Sequence, residues 1–131
     1  MPDSLTKDPQ PLRIFIVENH PDTLKGLTMY LEQMEHIVIS ARTMREALEM
    51  LPLANCDVLL SDIGLPDGDG WELMRLVKLP KKIFAIAMSG FGMNADRVKS
   101  KKAGYREHLL KPFNPDDLDV CLAEAAQELE R

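Results

Sequence analysis

No apolar run in this chain approaches the roughly 20 residues that a membrane-spanning helix requires. The first eleven residues (MPDSLTKDPQP) lack the apolar core of a signal peptide, and their prolines and charges read as a disordered lead-in over 1–11. A cytoplasmic chain with no membrane contact is therefore expected. Cysteine is scarce: Cys56 and Cys121 show no metal-ligand spacing and sit in apolar settings, which favours buried thiols over a disulfide. Positive charge is also in deficit, with 16 Lys and Arg against 21 Asp and Glu and a net charge of −5. That balance argues against nucleic acid as a partner, because binding a phosphate backbone needs a basic surface. The one basic stretch, Arg97, Lys99, Lys101, Lys102 and Arg106, reads as a solvated helix face. His20 and His36 have no ligand geometry, and no repeat, low-complexity stretch or internal linker divides the chain.

What remains is 131 residues with 45% hydrophobic content, enough for one domain with its own core. Short apolar runs at Arg13–Val17, Ile37–Ala41, Asp57–Ser61, Ile83–Ser89 and His108–Leu110 predict strands. They are mostly continuous and not alternating, as in strands buried on both faces of a parallel sheet. Helices are expected between them. Pro21 suits a first turn ahead of Leu24, Leu27, Leu31 and Met34. Thr43 and Glu46 form a capping box before Met44, Ala47, Leu48 and Leu51. A third helix is expected over Gly70–Leu79, stopped by Pro80, and a fourth over Ala95–Ala103 with Gly104 left-handed behind it. Asn114 caps a fifth, which Pro115 and the acids Asp116 and Asp117 begin. The order is βα repeated five times, an α/β fold with a parallel sheet between helical layers.

In such sheets ligand chemistry gathers at the carboxyl ends of the strands. The first strand is followed by Glu18, Asn19 and His20, and the third by Asp62-Ile63-Gly64-Leu65-Pro66. The fourth ends in Ser89, then Gly90 and Phe91; the fifth leads into Lys111, Pro112 and Phe113. One edge thus collects two carboxylates, an amide, a hydroxyl and a lysine. A carboxylate can accept a phosphoryl group as an acyl phosphate, and phosphoryl transfer needs a divalent cation to neutralise the oxygens. Mg²⁺ takes few protein ligands and several waters, so Glu18 and Asp62 with a backbone carbonyl, assigned to Gly64, suffice. Ser89 and Lys111 would bind the remaining phosphoryl oxygens.

The segments IFIVENHPDTL, DVLLSDIGLPDGDGWELM, AIAMSGFG and AGYREHLLKPF resemble, in order and spacing, the four signature stretches of response-regulator receiver domains. The resemblance runs from about Arg13 to the C-terminus and implies a flavodoxin-like doubly wound (βα)5 sandwich with strand order 2-1-3-4-5 over residues 12–131. It aligns Asp62 with the phosphoacceptor, Ser89 with the switch hydroxyl and Lys111 with the phosphoryl-contacting lysine. Glu18 and Asn19 fall on the acidic pair, and His108 on the switch aromatic. The Lys111–Pro112 bond is commonly cis in the family. Implied partners are a sensor histidine kinase or a phosphotransfer domain, with a homodimer through the face of the fourth helix, fifth strand and fifth helix as an option. The wording of DIGLPDGDG, SGFG and HLLKP is most similar to receivers attached to hybrid sensor kinases, which are membrane-associated. There is no room for an output domain, so a stand-alone receiver or an excised domain is expected, with Mg²⁺-dependent self-phosphorylation and no stand-alone turnover.

Two positions depart from the family pattern. Asn19 replaces an aspartate and removes a full charge, so Mg²⁺ binding is expected to be weak. His108 replaces Tyr or Phe, which brings a titratable ring to the switch position; its plainer reading is a half-buried strand-end histidine. Gly64 leaves the acceptor open to water. Asn19 motivates an alternative, a phosphorylation-independent pseudo-receiver acting as a protein-binding module. A flavin or nucleotide binder is a second alternative, disfavoured because ENHPD is no glycine-rich phosphate cradle.

Overall fold

Residues 11–90 and 94–129 are described by a computed structural model. The lead-in over 1–10, residues 91–93 (with Phe91 and Gly92 of the SGFG stretch), and the last two residues lie outside them. Five strands form one parallel sheet: β1 Arg13–Val17, β2 Ile37–Ala41, β3 Val58–Asp62, β4 Phe84–Ser89 and β5 Glu107–Leu110, in the order β2-β1-β3-β4-β5. This is the flavodoxin-like doubly wound arrangement. Helices α1 Pro21–Gln33, α2 Met44–Ala54, α3 Gly70–Leu76, α4 Asn94–Ala103 and α5 Pro115–Leu129 make the crossovers.

The continuous apolar strands feed two cores, one on each face. Ile14, Ile16, Val58, Leu60, Ile86 and Met88 pack with Leu31 of α1 and Leu118 and Leu122 of α5. The alternate residues Phe15, Val17, Leu59, Ala85 and Ala87 pack with Ala47 and Leu51 of α2, Leu73 of α3 and Tyr105. Burial on both faces holds for β1, β3 and β4 but not for β2, an edge strand whose Ile37 is 47% exposed.

Local chemistry sets the helix ends. Thr43 Oγ1 accepts from Glu46 N at 3.1 Å, while Glu46 reaches back to Arg42 N at 2.9 Å, one residue earlier than a reciprocal box. Asn114 Oδ1 accepts from Asp116 N at 2.9 Å. Gly104 follows α4 with φ +116°, a backbone state that suits glycine. The third helix is shorter than expected and ends at Leu76. Val77 turns extended, its N–H still bonded to Leu73 O at 2.9 Å. Pro80 disfavours helix at Leu79, and Val77 and Leu79 leave the helix to pack on the second core. Strand β3 is shifted by one residue against expectation: Asp57 lies before it, its carboxylate taking Arg13 N at 2.8 Å, and Asp62 is its last residue. A small antiparallel ribbon, Gly64–Leu65 against Gly68–Asp69, was not anticipated. Cys56 and Cys121 are buried free thiols. Among the described residues no helix is long and apolar enough to cross a membrane.

Candidate functional site

Strands β1, β3, β4 and β5 end side by side, and each delivers one polar group to the same edge. Glu18 follows β1 directly and is 1% exposed, its N–H bonded to Ala41 O at 3.1 Å. The chain then turns into α1, with Pro21 in the first turn and His20 as the N-cap, its Nδ1 facing Thr23 N at 3.4 Å. His20 N donates to Glu18 Oε2 at 3.0 Å, which fixes the carboxylate. Asn19 is exposed and is not the cap; among the described residues its contact is through the backbone oxygen, which accepts from Arg42 Nη2 at 3.1 Å.

Asp62 stands at the end of β3, with 15% of its side chain exposed. Lys111, one residue past β5, joins the two acids: its Nζ donates to Glu18 Oε1 at 2.5 Å and to Asp62 Oδ2 at 3.0 Å. The Lys111–Pro112 bond is cis. Two carboxylates thus share one ammonium. Burial pushes the Asp62 carboxyl up from 3.8 to about 6; Glu18's charge adds to the rise and Lys111 opposes it. Burial alone would pull Lys111 down, but its bonds to Glu18 and Asp62 outweigh this and hold it above the ordinary lysine value.

The loop after Asp62 is tightly drawn. A Cβ on Gly70 would stand 2.8 Å from Asp62 O and 3.0 Å from the Tyr105 hydroxyl, which itself donates to Gly70 O at 2.7 Å. Asp67 accepts from Met44 N at 2.7 Å and Arg45 N at 2.9 Å, tying the loop to the start of α2 and holding its carboxyl below the usual range. Gly64 is open, with nothing within 4 Å of where a Cβ would be.

Ser89, 3% exposed at the end of β4, lies with Oγ 2.8 Å from His108 Nε2. His108 is more deeply buried than expected, at 8% exposure, and its Nδ1 is 2.9 Å from Ser100 Oγ of α4. Ser100 also accepts from Trp71 Nε1 at 2.9 Å. Sequence reasoning passed over Ser100, a lone serine within a charged helix. Of the basic stretch, Lys99 lies 4.2 Å from the Trp71 ring centre, while Lys101 and Lys102 are exposed. Beside Lys111 an apolar groove of about 670 Å³ opens between α1 and α5, lined by Leu27, Tyr30, Phe113 and Leu118 among others.

Among the described residues no three His, Cys, Asp or Glu side chains cluster as a metal site. What stands there is a pair of acids, Glu18 and Asp62, carrying more negative charge than Lys111 cancels. That donor set, all oxygen and electron-rich, suits a hard cation.

Comparison with known proteins agrees with this geometry. Residues 14–123 match the family model of the response regulator receiver domain. An uncharacterised 14.6 kDa protein of Leptolyngbya boryana is 35% identical over 118 residues, 84% of this chain and 90% of that protein. The transcriptional regulatory protein ResD of Bacillus subtilis is 30% identical over 106 residues, which cover 81% of this chain but only 44% of that regulator. The crystal structure of a CheY-like receiver domain protein from Methanospirillum hungatei JF-1 superposes with a TM-score of 0.84 at 31% identity, covering 92% of this chain and 98% of that one. The chain belongs to the response-regulator receiver domain family, the phosphorelay receivers of two-component signalling.

Proposed function

We propose that Asp62 is the phosphoacceptor and that a phosphohistidine, on a sensor histidine kinase or a phosphotransfer domain, is the donor. The observation that supports this most is the bridge from Lys111 to both Asp62 and Glu18, at 3.0 and 2.5 Å, at the carboxyl edge of the sheet. Lys111 holds Asp62 Oδ2, so Oδ1 is the oxygen turned to nucleophile. The O–P bond forms as the P–N bond to the donor imidazole breaks, and the imidazole nitrogen leaves with the electron pair. Lys111 stays within reach of the transferred oxygens and offsets their charge, and Ser89 donates to another. The apolar groove beside Lys111 offers the donor's helix a surface to rest on.

Glu18, Asp62, the Asn19 amide and the Gly64 carbonyl would hold Mg²⁺, which when bound supplies positive charge opposite the phosphoryl oxygens. With Asn19 neutral, that binding is weak. Phosphorylation is read out at the face of α4, β5 and α5, where a second copy of the chain is one candidate partner; an acidic chain of this kind has no use for nucleic acid. Residues 12–131 act as one receiver unit in the cytoplasm, alone or joined to a hybrid kinase.

Incubation with acetyl phosphate, with and without Mg²⁺, tests this by intact mass. One phosphoryl group, dependent on Mg²⁺ and lost in Asp62→Asn, is the expected result. No addition at high Mg²⁺ moves the reading to the pseudo-receiver, which the neutral Asn19 favours.

A further inference from the structure

Four side chains from four elements lie on one line of hydrogen bonds: Ser89 of β4, His108 of β5, Ser100 of α4 and Trp71 of α3. The three inner members are closed to water, at 3% exposure for Ser89, 8% for His108 and 1% for Ser100. The direction of the chain follows from its far end. An indole N–H only donates, so Ser100 Oγ must accept from Trp71 Nε1 at 2.9 Å. Ser100's own proton then has His108 Nδ1, at 2.9 Å, as its acceptor. Were Nδ1 to carry a proton, Ser100 Oγ would face two donors and its own buried hydroxyl proton would go unmatched, at a cost of about 1–3 kcal/mol. Nδ1 therefore accepts, and the ring proton sits on Nε2 and points at Ser89 Oγ, 2.8 Å away. Ser89 accepts this proton, so its bond to His108 is made through a lone pair and not through its own hydroxyl proton.

We infer that Ser100, anchored by Trp71, is a positioning residue that holds His108 in the Nε2–H tautomer and so sets Ser89 as a donor toward the phosphoryl group. This rests on the reading of Asp62 as phosphoacceptor and Ser89 as its partner, and extends it to two residues outside the edge of the sheet. A phosphoryl oxygen has no proton to offer, so a Ser89 that spent its hydroxyl on His108 would meet it lone pair to lone pair. The tautomer removes that conflict before the phosphoryl group arrives. Lys99, 4.2 Å over the Trp71 ring, covers the outer end of the line.

The test uses the intact chain labelled with nitrogen-15. Long-range nitrogen–proton spectra of the unmodified protein should show His108 as the Nε2–H tautomer alone. Ser100→Ala and, separately, Trp71→Phe should each populate the Nδ1–H form. With acetyl phosphate and Mg²⁺, both variants should take up the same single phosphoryl group roughly two- to tenfold more slowly, as the share of correctly set Ser89 falls. A wild-type His108 protonated on Nδ1, or variants that change neither tautomer nor rate, would overturn the inference. Should either variant lose its fold, the wild-type tautomer and the other variant still decide. A wild-type chain that takes no phosphoryl group overturns the acceptor reading and this role with it. The tautomer spectrum then tells that failure apart from a wrong direction of the hydrogen bonds.

Discussion

Replacing Asp62 with asparagine removes one of two carboxylates that share Lys111, with almost no change of shape, and should stabilise the metal-free protein. The Asp62 carboxyl stands at about 6 against 3.8 ordinarily, raised first by burial and then by Glu18. An ionised Asp62 is thus less well accommodated in the folded protein than in the unfolded chain. About two pKa units at 1.36 kcal/mol each put a ceiling near 3 kcal/mol on the gain at neutral pH. Asparagine keeps a polar group there but loses the charge-assisted bond to Lys111, which lowers the expected gain to roughly 1 kcal/mol. Between the ordinary and the raised value the folded state binds more protons than the unfolded one. Wild-type stability from this group is therefore fully present below about pH 4 and is lost as pH rises through about 6. The advantage of the variant should accordingly be largest at pH 7.5 and close between pH 6 and 4. Urea denaturation of both proteins in EDTA across that range measures it. A variant less stable than wild type at pH 7.5, or an advantage that fails to shrink in acid, would refute the reasoning.

Three further outcomes are expected. Lys111→Met leaves Glu18, 1% exposed, without its ammonium, and should cost toward the low end of about 3–5 kcal/mol by denaturation because Asp62 can protonate in response. Asn19→Asp should tighten Mg²⁺ binding about 10- to 100-fold in a calorimetric or fluorescence titration, and unchanged affinity would remove Asn19 from the ligand set. Gly64→Asn, at a position with nothing within 4 Å of the new Cβ, should fold normally and lengthen the lifetime of the acyl phosphate severalfold by obstructing water, read by intact mass over time.

The fold was legible because each strand is a short run of apolar residues punctuated by a capped helix, and because both faces of the inner strands need a cover. Glu18, Asp62, Ser89 and Lys111 were legible by place: each ends or directly follows a strand of one sheet, so finding the strands found the edge. The strand ends themselves slipped where a side chain competed with the ladder, as at Asp57, whose carboxylate takes Arg13 N. The length of α3 was misjudged because Leu79 is restricted by its proline, a local rule that reaches back further once Val77 and Leu79 are wanted in the core. The tie from His108 to Ser100 and Trp71 was not legible at all. Those residues lie on three separate elements, and only the packing of α4 against both α3 and β5 brings their polar atoms into line.

The loop that follows Asp62 behaves as the fixed jaw of a vise. Asp67 bolts it to the backbone of α2, and Gly70 is clamped between the Asp62 carbonyl and the Tyr105 hydroxyl, with no room for even one more carbon. The Asp62 backbone is thereby held on that side. On the proposal that Asp62 takes the phosphoryl group, the side left to give is the one that carries Ser89, and the held loop would lend the signal its direction.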